Sequence, residues 1–496
     1  MISKNLIKSS LIYTIFGALP MVSGFILLLF YTNVNYISKP DFGAFIIYIS
    51  FTLFIQTLIN LGLDTYIGVS YFENKHDKLI NKTKIGAITG YLALWGTLII
   101  VVFSLTGESI FKLVFQSKDI FFYPYGFMAV ITAFCNSYFK TYTNLLINQE
   151  RDTRFALVNS INFIATLGFS LSGLFLYPLT LTGPMWGRML SGIVIFVIAF
   201  FPFSVEFPLR ISLGKELKQT LHFSLPVLLF LLISWSISNI YPFIMKYFMT
   251  LNDVAIFGLV LQLTLLVEFL LNGMSSAIIP KVFGLITDKK LTGSTPELNK
   301  YFSGFNAFAL IVIPASTFFI PLFLPLLISK DYEASFIFLA MLNIGFASRG
   351  LYNYFLTPIY LFKKTSVLPK MYLITAFLQL IISVVLIKHF GIWGAVAANL
   401  ITKVIQNVLL FLASRKFFKY EFNVFKFIWL PLIVALVIIS SEYFVTDCNL
   451  HLIRLAQMVF SYLMVYIFYR NEAGALFKDL LSKSNIHLKS TTITNI

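Results

Sequence analysis

Apolar stretches of about twenty residues recur along the whole chain, separated by short gaps that carry charged or turn-forming residues. A helix needs about 20 apolar residues to cross about 30 Å of hydrocarbon. Because lipid offers the backbone no hydrogen-bonding partner, stretches of this length indicate helices. The pattern therefore predicts an all-α polytopic membrane protein with about fourteen transmembrane helices. The predicted spans are 9–32, 43–70, 86–106, 121–148, 155–177, 184–203, 222–248, 253–280, 301–327, 333–361, 367–388, 391–413, 427–446 and 452–469.

The composition agrees with this pattern, since 58% of the 496 residues are hydrophobic and 12% are charged. A soluble domain carries about 25% charged residues, so a soluble enzyme is excluded. The two cysteines, Cys135 and Cys448, are too few for a disulfide framework or a cysteine metal site. The five histidines show no ligand spacing. We therefore expect neither a metal nor a cofactor.

The distribution of Lys and Arg predicts the orientation. With the N-terminus in the cytoplasm, and with basic residues at span ends counted with the adjoining loop, 26 of the 37 fall in inner segments and 7 in outer loops. Basic residues accumulate on the cytoplasmic side of membrane proteins. The pattern thus predicts a multi-pass protein of the bacterial inner membrane with both termini cytoplasmic. The net charge of +16 then faces anionic lipid rather than nucleic acid.

Two polar stripes suggest an internal duplication. Each stripe has four polar residues at steps of four, which places them along one helix face. The two stripes lie in the predicted spans 43–70 and 253–280 and are related by a constant offset of 212 residues. Asp41 and Asp253, at the entrances of these spans, are related by the same offset. The first stripe consists of Thr52, Gln56, Asn60 and Asp64, and the second of Thr264, Glu268, Asn272 and Ser276.

The duplication predicts two pseudo-symmetric six-helix lobes of the same orientation, followed by two extra helices. Transporters with parallel repeats have this arrangement, with a binding site at the repeat interface. The predicted segments are an N-terminal lobe at 1–203, a cytoplasmic linker at 204–221, a C-terminal lobe at 222–413, helices 13 and 14 at 414–470 and a cytoplasmic tail at 471–496.

Ionisable residues inside the spans are the candidate functional groups, because a charge at the bilayer centre costs about 2.5–3.5 kcal/mol. The embedded cations outnumber the embedded acids, Asp64 and Glu268. A cavity with excess positive charge concentrates anions, and Arg and Lys bind phosphate well. The alternative is that the charges pair with one another or snorkel to the surface, for which Arg188 is best placed. The four embedded cations are Lys140, Arg188, Arg349 and Lys403.

Amides on the same helices extend these polar faces into the cavity. They are Gln56, Asn60, Asn144, Asn272 and Asn353. Their alternative role is to form hydrogen bonds between helices.

Short motifs make the chain resemble the polysaccharide-transport branch of the multidrug/oligosaccharidyl-lipid/polysaccharide exporter superfamily, which includes O-antigen and lipid-linked oligosaccharide flippases. The resemblance extends over nearly the whole chain. Its motifs are Asp41-Phe42-Gly43, Leu61-Gly62-Leu63-Asp64, Asn148-Gln149-Glu150-Arg151, Lys364-Thr365 and Phe390-Gly391-Ile392-Trp393-Gly394.

The resemblance implies a non-enzymatic flippase that works by alternating access. It would move an undecaprenyl-pyrophosphate-linked oligosaccharide from the cytoplasmic to the periplasmic leaflet, with helices 13 and 14 beside a groove for the lipid tail. Lys140, Arg349 and Lys403 are the candidates for the anionic headgroup, and Arg188 is a fourth. Expected partners are the lipid-linked substrate, membrane lipids, and the polysaccharide polymerase and glycosyltransferases that handle the same sugars, with no nucleic acid.

Three other functions stay open at this point. An ion-coupled exporter of drugs or small solutes would use Asp64 and Glu268 to couple transport to H⁺ or Na⁺. A lipid II flippase is a near relative of the leading hypothesis. A membrane glycosyltransferase or polymerase is disfavoured because such enzymes need sizeable outer loops, and the outer loops here are short.

Overall fold

The computed structural model describes residues 4–74, 76–116, 119–211, 214–444 and 450–490; side chains at 4–11, 215, 443–444 and 473–490 are not described. The described residues form α-helices joined by short turns, without a named β-strand. The helices are α1 Lys4–Tyr31, α2 Lys39–Asn60, α3 Leu63–Glu73, α4 Lys78–Phe115, α5 Phe127–Asn148, α6 Asp152–Leu176, α7 Thr182–Glu206, α8 Lys215–Asn239, α9 Tyr241–Phe248, α10 Leu251–Asp288, α11 Pro296–Phe323, α12 Ser335–Ile344, α13 Arg349–Leu361, α14 Val367–Ser414, α15 Leu430–Phe444 and α16 Leu450–Ser490.

Twelve stretches of the described helices are long and apolar enough to cross a membrane. One of them, the 48-residue α14, is two helices joined at Gly391, whose φ of 58° and ψ of −132° are not helical. The twelve do not include α5, whose 22 residues carry Lys140 and several Asn side chains. Counting α5 and both halves of α14 accounts for the fourteen predicted spans. The prediction of an all-α polytopic membrane protein is confirmed.

The predicted second span contains a break. α2 ends at Asn60 and α3 begins at Leu63, because Leu61 and Gly62 both adopt positive φ, 49° and 70°. This turn places Asp64 in the first turn of α3, where the helix dipole favours a negative charge.

Matching caps support the internal duplication. The Ser38 hydroxyl donates to Asp41 at 2.5 Å before α2, and the Thr250 hydroxyl donates to Asp253 at 2.6 Å before α10. Each hydroxyl in turn accepts a hydrogen bond from the backbone N–H three residues later. The same cap therefore recurs at the offset of 212 that relates the polar stripes.

The α5–α6 and α13–α14 turns also match. Glu150 and Lys363 both have positive φ, 58° and 55°. The N–H of the next residue, Arg151 or Lys364, bonds the carbonyl five residues back at 2.9 and 3.0 Å. The turn after α10 has the same geometry, since Lys290 has a φ of 48° and the Leu291 N–H bonds the Ile286 carbonyl at 2.9 Å. The caps are therefore the more specific support for the duplication.

The chain divides into two compact units, 1–258 and 259–496, with the division inside α10. In the first unit α7 packs against α5 and α6, and α2 packs against α5 and α8. In the second unit α11 packs against α12, α13 and α16, and α15 packs against α12. The predicted lobe, linker and tail boundaries stay predictions. Cys135 is buried, whereas Cys448 and residues 491–496 of the predicted tail lie outside the described residues.

Two ion pairs and a hydrogen bond join α15 and α16 to each other and to their neighbours within the second unit. Arg454 on α16 binds both carboxylate oxygens of Glu442 on α15, at 2.6 and 2.7 Å, and both side chains are buried. The Ser461 hydroxyl donates to the Leu310 carbonyl on α11 at 2.7 Å. Near the other end, Lys426 binds Glu472 at 2.6 Å. α16 is therefore joined directly to α15, to α11 and to the residues just before α15.

Candidate functional site

Lys140 forms an ion pair with Asp64. Its ammonium lies 2.9 Å from the Asp64 carboxylate, joining α5 to α3. The Lys140 side chain is 48% exposed and that of Asp64 is 6% exposed. The other Asp64 oxygen accepts the Thr65 N–H at 3.0 Å. For Lys140 the structure thus shows the charge pairing that the sequence left as an alternative to anion binding.

The polar stripe around this pair contains contacts between helices. Asn60 is buried and its side-chain oxygen accepts a hydrogen bond from the Thr141 hydroxyl on α5 at 3.3 Å. The Gln56 backbone carbonyl accepts from Ser137 at 3.4 Å. The side chains of Gln56 and Asn144 are half-buried. Asn60 therefore serves helix packing, while Gln56 and Asn144 stay candidates for a cavity.

Arg188 lies beside an aromatic ring. Its guanidinium carbon is 5.7 Å from the centre of the Phe45 ring, which joins α7 to α2. The salt bridges among the described residues do not include Arg188, Arg349 or Lys403. Three of the four predicted cations are therefore without a carboxylate within 4 Å in the described parts of the chain.

In the second unit, Arg349 is held by an amide and an aromatic ring. One terminal nitrogen donates to the Asn272 side-chain oxygen on α10 at 3.0 Å. The guanidinium carbon lies 4.8 Å from the centre of the Tyr352 ring. The Nε–H is buried and has no acceptor among the described residues. Arg349 thus keeps hydrogen-bond donors that no described group uses.

Lys403 also lies on an aromatic face. Its ammonium is 4.1 Å from the centre of the Phe346 ring, in the turn between α12 and α13. It is near enough to Arg349 and Glu268 to interact electrostatically with both charges. The structure therefore brings Arg349, Lys403 and Glu268, from α13, α14 and α10, into one neighbourhood.

An apolar cavity of about 620 Å³ adjoins Lys403, between α14, the turn before α13, and α15. Among the described residues, its polar lining consists of Ser348, Lys403 and Asn407. The apolar wall includes Leu351, Leu400, Val404, Phe411, Leu432 and Leu436. The described lining includes residues of α15, and none of the described side chains of α16 belongs to it. Of the two extra helices, α15 therefore borders the cavity, whereas α16 packs mainly against α11.

The remaining predicted residues differ in their surroundings. The Asn353 amide is buried and donates to the Ser275 hydroxyl at 2.8 Å, which joins α13 to α10. Glu268 is half-buried and forms no salt bridge with a described residue, unlike Asp64. No group of three His, Cys, Asp or Glu side chains in the described residues could hold a metal ion.

Sequence reasoning missed the aromatic side chains of this neighbourhood. Tyr352 could have been found, because it lies three residues after Arg349 and so shares its helix face. Phe346 and Tyr372, whose hydroxyl lies 2.5 Å from that of Tyr352, carry no such signal, since their position depends on how the helices pack.

Comparison with known proteins gives a family and a fold. A family model described as polysaccharide biosynthesis protein matches residues 36–337. No curated protein sequence matches the chain.

Solved structures match over most of the chain. The inward closed form of the lipid II flippase MurJ is 16% identical, with a TM-score of 0.71 over 94% of this chain and 99% of that one. An inward-facing multidrug resistance MATE transporter of the MOP superfamily is 15% identical, with a TM-score of 0.65 over 84% of this chain and 98% of that one. At these identities the likeness shows the fold alone.

Proposed function

We propose, because the chain belongs to the polysaccharide biosynthesis protein family, that it is a flippase for an undecaprenyl-pyrophosphate-linked oligosaccharide. It would move a polysaccharide repeat unit from the cytoplasmic to the periplasmic leaflet of the bacterial inner membrane. The mechanism would be alternating access, in agreement with a fold shared with transporters.

The observation that carries this proposal is an apolar cavity with a cation in its wall. A lipid-linked sugar needs a dry surface for its polyprenyl tail and positive charge for its phosphates. The cavity of about 620 Å³ supplies the first and Lys403 supplies the second. Its size falls in the usual range of ligand pockets, about 300–1,000 Å³.

The charge distribution of the second unit also supports an anionic substrate. Arg349 and Lys403 rest on aromatic rings instead of carboxylates. Their charges are therefore not neutralised by an ion pair and remain available to phosphate oxygens, for which Arg offers paired donors. Coupling to H⁺ or Na⁺, through Asp64 or Glu268, belongs to this proposal as its driving force.

A lipid II flippase is the second candidate. The likeness to MurJ over nearly the whole chain favours it, and lipid II carries the same kind of polyprenyl pyrophosphate anchor. The cavity fits either substrate, so complementation has to separate them.

The test is complementation in two strains, one that lacks its polysaccharide flippase and one depleted of its lipid II flippase. We expect the chain to restore surface polysaccharide in the first strain and not growth in the second. Lys403→Ala should reduce surface polysaccharide about tenfold or more, since a hydrogen bond to a charged group contributes about 1.5–3 kcal/mol.

Two bulky substitutions test the cavity directly. Val404→Trp places a large ring in the cavity, whereas Ile401→Trp, on the same helix, lies outside the lining and is also exposed. We expect loss of activity for Val404→Trp alone, with equal protein levels on a blot. If Val404→Trp, Ile401→Trp and Lys403→Ala were all as active as the wild type, the proposal would be refuted.

A further inference from the structure

The second unit holds its two central cations by aromatic faces. Arg349 lies over Tyr352 at 4.8 Å and Lys403 lies over Phe346 at 4.1 Å. An aromatic face attracts a cation through its quadrupole and carries no net charge. The ring therefore stabilises the cation in a medium of low dielectric constant and leaves the full positive charge in place.

In the first unit, by contrast, the cation Lys140 is paired with an acid. Lys140 is bound to the carboxylate of Asp64 at 2.9 Å. An anion that approaches Lys140 has to compete with Asp64 in direct contact. In the described parts of the chain, no carboxylate lies within 4 Å of Arg349 or Lys403, and Glu268 attracts Lys403 only from a longer distance. Lys140 is thus neutralised by a carboxylate in contact with it, whereas Arg349 and Lys403 lie on aromatic rings that carry no net charge.

The Tyr352 ring is itself held in place. Its hydroxyl lies 2.5 Å from that of Tyr372, on the first half of α14. Because Tyr352 follows Arg349 by three residues, its ring lies on the same face of α13. A rotation of this ring away from Arg349 would break the bond between the hydroxyls.

Asn272 fixes the guanidinium from the other side. Its side-chain oxygen accepts one terminal N–H of Arg349 at 3.0 Å. The buried Nε–H has no acceptor among the described residues. A buried donor of a charged group without a partner is costly, so this geometry points to an acceptor that comes from outside the chain.

We propose that Asn272, Tyr352 and Tyr372 are positioning residues that pre-organise Arg349 for a pyrophosphate group. α10 supplies the amide, α13 the ring and α14 the hydroxyl that holds the ring. A guanidinium fixed in this way loses less conformational freedom when it binds an anion. The inference rests on the proposed function and specifies how the headgroup is selected.

The experiment measures binding to the purified full-length chain in nanodiscs. The probe is farnesyl pyrophosphate, and farnesol is the control without phosphate. The measured quantity is the ratio of the two affinities, which reports recognition of the anion separately from that of the tail. We expect the wild type to prefer the pyrophosphate and Arg349→Ala to lose most of this preference.

The positioning residues should give a graded series. Tyr352→Leu and Asn272→Ala should each reduce the preference about fivefold, since a cation–π contact or one hydrogen bond to a charge is lost. Tyr352→Phe keeps the ring and should lose about twofold. Tyr372→Phe should match it, and the double variant should be no weaker than either single one, because both remove the same bond.

Phe377→Leu is the matched control, rather than a change at Tyr360, which is near enough to Tyr352 and Tyr372 to interact electrostatically with both. Phe377 lies on the first half of α14, as Tyr372 does, and is 63% exposed. It should bind as the wild type does. Thermal unfolding checks that each variant is folded. If Tyr352→Leu does not fold, Tyr352→Phe and Tyr372→Phe still test the proposal.

Two outcomes are distinguishable. A wild type that binds farnesol and farnesyl pyrophosphate equally would refute the proposed function. If Arg349→Ala abolished the preference for the pyrophosphate but the four single positioning variants kept it, this inference alone would be overturned.

Discussion

At the scale of single residues, Lys140 and Arg349 look alike in the sequence but differ in their partners. The sequence shows four cations and two acids deep within apolar spans, with Glu442 and Arg454 nearer the ends of theirs. It cannot show which of them pair, because that depends on which helices lie side by side. The pair of Lys140 with Asp64 needs α3 and α5 to pack together, and the contact of Arg349 with Asn272 needs α10 and α13 to do so.

The Lys140–Asp64 pair predicts an asymmetric response to mutation. Asp64 is 6% exposed and Lys140 is 48% exposed. Lys140→Met would leave a buried carboxylate without its cation, which costs several kcal/mol when the charge is fully buried. Asp64→Asn would leave a half-exposed ammonium that water can reach. We therefore expect Lys140→Met to lower the thermal unfolding temperature more than Asp64→Asn does.

The double variant Lys140→Met with Asp64→Asn controls this prediction, because it removes both charges. It should recover most of the stability that Lys140→Met loses, measured by thermal unfolding of the purified protein. If Asp64→Asn lowered the unfolding temperature more than Lys140→Met, the burial of Asp64 would not determine the stability of the pair.

At the scale of elements, apolar length located the helices but not their ends or breaks. α4 extends from Lys78 to Phe115 although its predicted span is 86–106. An apolar window marks the part of a helix that lies in hydrocarbon, and the helix can continue into polar sequence at no cost in membrane insertion. The break at Leu61 and Gly62 was missed because the apolar sequence is continuous through it, whereas the break at Gly391 was placed correctly.

The ion pair between α15 and α16 carries the second prediction for stability. Glu442 is 0% and Arg454 3% exposed at the side chain. Removing one partner of a buried pair typically costs about 3–5 kcal/mol. Glu442→Gln should therefore lower the unfolding temperature strongly. It should also reduce transport, because α15 lines the cavity beside Lys403.

The pair of Glu108 with Lys112 is the matched control. It joins residues four apart on α4, with side chains 35% and 75% exposed. Exposed pairs of this kind contribute about 0–1 kcal/mol, so Glu108→Gln should hardly change the unfolding temperature. Equal shifts for the two Gln variants would contradict a structural role for the buried pair.

At the scale of the whole molecule, short motifs and a repeated spacing of polar residues together predicted the duplication and the family. The offset of 212, seen first in two polar stripes, recurs in the caps of Asp41 and Asp253. The resemblance drawn from short motifs is confirmed by the family match over 36–337. The apolar cavity beside Lys403 could not be predicted, because three separate chain segments supply its lining residues.

The orientation in the membrane is the last prediction. Inner segments carry 26 Lys and Arg and outer loops carry 7, when both termini are placed in the cytoplasm. An even number of spans is required for that placement, and the helices give fourteen. A cytoplasm-active fluorescent reporter fused after Ile496 should therefore be bright, and alkaline phosphatase at the same position should be inactive. Phosphatase inserted after Gln116, at the end of α4, should be active, because that loop is predicted to be periplasmic. Activity of phosphatase at Ile496 would mean an odd number of spans or an inverted chain. In either case the excess of basic residues would not determine the orientation.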